Sequence, residues 1–175
     1  GSVGEVAIRG ANVMAGYWNK PDETARALVD GWYRSGDLGY LDEEAHLFLV
    51  DRSKDMVVTG GENVYSTEVE EVLYRHPAVL EAAVFGIPDA RWGEAVHAVV
   101  VPRMPAGWTP DLERELIAFC REAIAGYKVP KRIDVQREPL PKSGPGKILK
   151  RALREPFWRD ANARESTAGA SAPQR

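Results

Sequence analysis

Five residues, Asp51-Arg52-Ser53-Lys54-Asp55, set the strongest limit on how this chain folds. Four of the five are charged, and they stand between two strand-type apolar runs, HLFLV at 46–50 and MVVT at 56–59. Burying unpaired charges costs roughly several kcal/mol each, so no single core continues through this segment. The chain therefore divides here. Before the break, Val6 and Ile8 lie on one face of a short strand that starts almost at the first residue, as in a chain entered partway. Pro21 and Asp22 open a short helix on which Ala25, Leu28 and Val29 share a face, and Asp30 and Gly31 end it. Strands are expected at 32–35 and 46–50, with LDEEA (41–45) between them. Residues 1–50 read as small antiparallel β-structure carrying one helix.

Beyond the break, a strand at 64–65 precedes STEVEEVLYRH, where Val69, Val72, Leu73 and His76 recur at helical spacing and Thr67 with Glu70 fits a capping box. Two β-rich runs, 79–87 and 94–102, are joined by PDARWG. A helix over 111–125 places Leu112, Leu116, Phe119, Cys120 and Ala123 on one face. A strand at 132–136 leads into PLPKSGPGKI and then a basic helix at 150–158, while residues 159–175 are small and polar enough to be disordered. The fold class is α+β: a small antiparallel β-rich segment followed by a compact domain with a short sheet flanked by helices.

Composition narrows the function. Lysine plus arginine minus aspartate plus glutamate is 23 − 26 = −3, which speaks against a nucleic-acid partner. No apolar run reaches the roughly 18 residues of a membrane span, and no signal-peptide pattern opens the chain, so a cytoplasmic protein is expected. One cysteine, Cys120, excludes an internal disulfide, and His46, His76 and His97 show no metal-ligand spacing, so no metal site is expected.

Gly146-Lys147 suggests a nucleotide phosphate loop, but that pattern needs glycine at 141 and Ser or Thr at 148, where this chain has Pro141 and Ile148. What remains is a lysine among Gly144, Pro145 and Gly146, a segment able to carry it to a distant site. Read alone, it is a solvated surface lysine. YRSGDLG (33–39) places Asp37 in a glycine-flanked turn, where a carboxylate accepts two hydrogen bonds from a vicinal diol such as ribose, or simply makes an Asp turn. TGGEN (59–63) is either a plain hairpin turn or a wall without side chains past which a thin ligand slides.

In order and spacing, GEVAIRGANVMAGYW (4–18), GWYRSGDLG (31–39), DRSKDMVVTGGENVYSTEVE (51–70) and LPKSGPGKILKR (140–151) resemble the C-terminal part of the adenylate-forming enzymes. That superfamily includes acyl-CoA synthetases, luciferase and peptide-synthetase adenylation domains. The resemblance runs to about residue 158, and GGEN with PDARWGE looks most like a CoA ligase of a carboxylic acid. It implies ATP and CoA as cosubstrates, a carboxylic acid, most simply a fatty acid, as substrate, and two steps that form acyl-adenylate and then thioester. By resemblance Lys147 is the mobile cation of the first step, Asp37 and Arg52 hold the nucleotide, and Lys54 is the hinge. Gly60, Gly61, Glu62 and Trp92 match the pantetheine path, Tyr127 an adenine stack, and Lys128 and Lys131 contacts to CoA phosphates.

The implied organisation is 1–51 as the end of a large N-terminal domain, 52–54 as hinge, 55–158 as a mobile domain and 159–175 as tail. The rest of the large domain, with its phosphate loop, acyl pocket and Mg2+ ligand, has no counterpart here, so the chain alone is expected to be inactive. Three residues depart from the family pattern: Ala45 and Ser66 stand where Gly and Pro are usual, and Pro145 where Ser or Thr precedes Gly-Lys. Two alternatives stay open. One is a ligase that loads a carrier-protein phosphopantetheine, the other a stand-alone binding module without chemistry.

Overall fold

The computed structural model describes residues 1–103 and 109–169, with side chains to residue 163. Contacts group the chain into two units, Gly1–Lys54 and Asp55–Arg175.

The first unit is a four-stranded antiparallel sheet built on one long strand. β1 (Gly4–Ile8), the helix α1 (Pro21–Ala27), β2 (Leu28–Val29), β3 (Trp32–Leu41) and β4 (Leu47–Arg52) follow in order. β1 runs along one edge of β3, while β2 and β4 follow each other along the opposite edge. Leu28 and Val29, expected on the helix, leave it to pair with Tyr33 and Trp32. Asp30 and Gly31, at φ 50° and 79°, form the left-handed two-residue turn whose twist suits a hairpin, and its ladder outweighs one further helical turn. The glycine-flanked turn expected around Asp37 is also absent. Gly36, at φ 75°, absorbs the irregularity opposite β1, and β3 continues through Asp37 to pair it with Arg52. Leu38 is the one buried apolar side chain of this unit among the described residues, while Leu41, Leu47 and Leu49 stand exposed on one sheet face.

The second unit holds the core. It comprises β5 (Val57–Thr59), β6 (Glu62–Val64), α2 (Ser66–Arg75), β7 (Val79–Asp89), β8 (Gly93–Pro102), α3 (Leu112–Ala123), β9 (Arg132–Val135) and α4 (Lys150–Gly169). β7 and β8 form a hairpin from Val79 opposite Pro102 to Asp89 opposite Gly93. β9 joins the free side of β8 in parallel, and β5 meets that same side where Thr59 pairs with Gly93.

Strand alternation sorts the side chains to two faces. Ala82, Val84, Val96, Ala98 and Val100 pack under α2 and α3, against Val69, Val72, Leu73, Leu112, Leu116 and Cys120. Ala83, Phe85, Val99 and Val101 pack under α4 and the segment before it, against Leu140, Ile148, Leu153 and Phe157. Cover on both faces is why β7 and β8 read as nearly unbroken apolar runs.

Two expectations change here. α2 begins earlier than the capping box requires, with Tyr65 as its N-cap and no side-chain cap, and Glu70 accepts instead the Val84 N–H, 2.8 Å away. α4 runs through Pro156 to Gly169, past residue 158 and into the stretch expected to be disordered. The good helix formers Ala161, Ala163, Arg164 and Glu165 favour this continuation. Residues 170–175 of that stretch lie outside the described residues. Among the described residues no helix is long and apolar enough to cross a membrane.

Candidate functional site

In the first unit the β3–β4 register brings Asp37 and Arg52 together, with Arg52 Nε 3.3 Å from Asp37 Oδ1. The Asp37 N–H donates to Ser35 Oγ at 3.0 Å, which leaves the carboxylate turned outward beside the guanidinium. Both side chains are partly exposed, so the pair presents acceptors and donors to solvent. Arg52 N–H donates to Asp51 Oδ1, and Ser53 N–H donates to Gly36 O at 2.8 Å, closing the strand end. Lys54 is exposed in the turn that follows.

In the second unit Gly60 and Gly61 connect β5 and β6 as a two-residue turn with φ 59° and 87°, values that side chains with a Cβ rarely adopt. Gly60 lies against the Trp92 ring: a Cβ there would sit 2.7 Å from Trp92 Cε3. Its N–H donates to the Trp92 carbonyl at 2.9 Å. Gly61 faces open space. Trp92 is in turn fixed by Asp89, whose Oδ1 accepts the N–H groups of both Arg91 and Trp92 at 2.9 Å. The Trp92 bond foremost, then the Arg91 bond, holds the Asp89 carboxyl below the usual carboxylate range. Glu62 is exposed in β6 opposite Thr59, on the same turn.

Cations gather on this tryptophan. Arg91 Cζ lies 4.6 Å from a Trp92 ring centroid, and Lys131 Nζ lies 5.7 Å from it. Tyr127 is half exposed on the 3₁₀ turn Gly126–Lys128. Lys128 sits over the Tyr127 ring, but its ammonium donates to both oxygens of Glu68, at 2.7 and 2.8 Å. That pair raises the Lys128 pKa above the ordinary lysine value and balances its charge, whereas Lys131 forms no salt bridge among the described residues. Sequence reasoning missed Arg91 and Glu68. Arg91 stands directly before Trp92 in PDARWG, so its adjacency was a usable signal; the Glu68–Lys128 contact spans 60 residues and left none.

Lys147 sits on a different part of the unit. Ser143 N–H donates to Lys147 O and Gly146 N–H to Ser143 O, both at 2.8 Å, which makes 143–147 a tight hairpin with Gly146 at φ 86°. The Lys147 side chain is exposed, and its ammonium forms no ion pair among the described residues. Among the described residues no cluster of His, Cys, Asp and Glu could hold a metal ion.

Residues 68–147 match the AMP-binding enzyme C-terminal domain. The chain is 51% identical over 152 residues to a long-chain-fatty-acid–CoA ligase of Bacillus subtilis, a match covering 87% of this chain and 26% of that protein. It is 47% identical to the fatty acid–[acyl-carrier-protein] ligase ScoC of Streptomyces coeruleorubidus, covering 92% of this chain and 30% of that one. The ATP-bound structure of MatB from Rhodopseudomonas palustris superposes with a TM-score of 0.80 at 38% identity, over 90% of this chain and 31% of that one. The chain thus spans about a quarter to a third of the length of these proteins.

Proposed function

Because the chain carries the C-terminal domain of the AMP-binding, adenylate-forming enzymes, we propose that it is the C-terminal portion of an ATP-dependent ligase that joins a carboxylic acid, most simply a fatty acid, to CoA. In the first step a carboxylate oxygen attacks the α-phosphorus of ATP and the bond to pyrophosphate breaks. In the second the CoA sulfur attacks the acyl carbon, the thiol proton passes to solvent, and AMP leaves. The observation that carries this reading is the presence, in one unit, of a side-chain-free turn walled by Trp92 and of an exposed Lys147 on a separate hairpin, in no ion pair among the described residues. The two features serve different steps.

Lys147 supplies positive charge where it accumulates on the phosphates in flight during adenylation. Asp37 and Arg52 hold the ribose side of the nucleotide. In the second step the turn at Gly60 and Gly61, with Glu62 on its rim, guides the pantetheine arm, Tyr127 stacks the adenine and Lys131 meets a phosphate. Lys54 is the point about which residues 55–158 swing between the steps. Mg2+ would be held by the rest of the complete enzyme. The exposed leucines 41, 47 and 49 support residues 1–51 belonging to a larger sheet that covers them. The chain by itself would then catalyse neither step.

A carrier-protein phosphopantetheine is the alternative acceptor, favoured by the likeness to ScoC and by the capture of Lys128 by Glu68, which removes one expected phosphate contact. The test uses the complete ligase and measures single-turnover adenylate formation beside thioester release from premade adenylate. Lys147→Ala should slow adenylation by about 10² to 10³, the scale of losing one preorganised stabiliser of transition-state charge, and spare thioester release. Lys54→Pro should do the opposite, by fixing φ near about −65° at the swing point. Equal loss in both steps on removing Lys147 would overturn the assignment.

A further inference from the structure

The glycines and prolines of 141–148 make this segment read as a loose tether for Lys147. Its side-chain contacts say otherwise. On the N-terminal side, Glu81 of β7 accepts the Leu140 N–H at 2.9 Å and pairs with Lys142. Its carboxyl is held below the usual range, foremost by the hydrogen bond from Lys142. On the C-terminal side, Lys150 Nζ reaches 2.7 Å from Glu70 Oε1 and 2.7 Å from Ser66 Oγ. The Lys150 and Glu70 side chains are only 15% exposed, and Glu70 is itself tied to β7 through the Val84 N–H.

Between these anchors, Leu140 and Ile148 sink into the apolar cluster with Phe85, Leu153 and Phe157. Lys142 bridges to Ile148, and the Leu149 N–H donates to Pro141 O at 2.8 Å. The tip, Gly144 to Lys147, is exposed, as are Lys142 and Leu149 on its two flanks, while Leu140 and Ile148 stay packed beneath it. Ser66 also gains a reason: it stands where the family pattern has proline, and its hydroxyl receives Lys150.

We infer that Glu81 and Lys150 are positioning residues that mount the Lys147 hairpin rigidly on β7 and α2 for the adenylation step. The inference rests on the role proposed above for Lys147. A partly buried ammonium and carboxylate add little net stability to a fold, but each strongly opposes loss of the other, which makes such a pair a device for fixing geometry. Lys147 then travels only with the unit that bears it, and its reach is set by that unit and not by slack in the loop.

The test has two arms. In the 175-residue chain, amide exchange is followed at Ser143 and Leu149, whose N–H groups close the hairpin. Glu81→Gln and Lys150→Met should each speed it by about tenfold or more, the scale of losing a charge-assisted hydrogen bond, and Lys150→Arg should preserve protection. In the complete ligase the same two variants should slow adenylation by about 10- to 100-fold, as misplacing a catalytic group does, with thioester release from premade adenylate unchanged. Adding Lys147→Ala to Lys150→Met should cost less than the two losses combined. Unchanged exchange in both variants overturns the mount. Faster exchange with normal adenylation, in an enzyme that Lys147→Ala still disables, overturns the positioning role alone. If Lys147→Ala leaves adenylation intact, the proposed role of Lys147 fails and the positioning role with it, and the exchange arm still reports whether the mount exists.

Discussion

Gly60 and Gly61 are neighbours in one turn, yet replacing each by alanine should cost different amounts for a reason visible only in the structure. Both have positive φ, 59° and 87°. For either, forcing an L side chain into the left-handed region costs about 1–2 kcal/mol, offset by about 0.5–1 kcal/mol because alanine has less chain entropy to lose than glycine. The net backbone cost is therefore about 0–1.5 kcal/mol, and for Gly61, with nothing near its missing Cβ, that is the whole effect. At Gly60 the new carbon would lie 2.7 Å from Trp92 Cε3 and 3.1 Å from Cζ3. Carbon atoms pack at about 3.5–4.0 Å, so the ring must move. It is held at both ends of its residue, by Asp89 at 2.9 Å and by the Gly60 N–H at 2.9 Å. Overpacking of this kind adds about 1–3 kcal/mol. Gly60→Ala should thus lose about 1–4.5 kcal/mol, and its melting temperature should lie roughly 5 °C or more below that of Gly61→Ala for a unit of this size. Denaturation of the chain, followed by circular dichroism, measures both. On a Trp92→Ala background, Gly60→Ala should cost no more than Gly61→Ala. Equal losses in the native background, or an excess that survives removal of the ring, would refute the reasoning.

Other outcomes follow from single residues. Ala45 sits at φ 64° in a turn closed by its own N–H to Asp42 O, so Ala45→Gly should stabilise that turn by about 0.5–1 kcal/mol, seen as roughly two- to fivefold slower amide exchange at Ala45 and His46. His97 is fully buried against Phe85 and Phe157 with Nε2 3.2 Å from Asp134 Oδ2, and burial pushes its pKa below the ordinary 6.5, the Asp134 carboxylate opposing this in part. The unfolded chain then binds the extra proton first, so stability falls as pH drops below about 6.5; the urea midpoint of His97→Gln should decline less steeply than that of the native chain, and parallel curves would contradict this. In the complete ligase Arg91→Ala should raise KM for CoA by about tenfold or more, whereas Lys128→Ala should change it less than about threefold, because Glu68 already holds that ammonium. Steady-state kinetics with CoA as the varied substrate decides between them.

The sequence by itself determined what depends on neighbours along the chain. The helical spacing of Val69, Val72 and Leu73 placed α2, and the apolar runs on either side of PDARWG placed the β7–β8 hairpin, because periodicity is a local property. Motif order alone carried the resemblance to adenylate-forming enzymes, and with it Lys147, Asp37 and the two glycines. The departures came where tertiary contacts outbid a local preference. Leu28 and Val29 left a helix to complete a ladder, Glu70 left a capping box for the Val84 N–H, and the turn around Asp37 was absorbed into a strand by its partners on both sides.

What only the folded chain decided is which charges are already engaged. Lys128 to Glu68 spans 60 residues and Lys142 to Glu81 spans 61, and no pattern along the chain announces either. An ion pair at such separation exists because two elements, each placed by its own apolar face, come together and set those side chains within reach. That is why a sequence can offer Lys128 and Lys131 alike for a CoA phosphate, and the fold, among the described residues, ties Lys128 to Glu68 while Lys131 and Lys147 form no salt bridge.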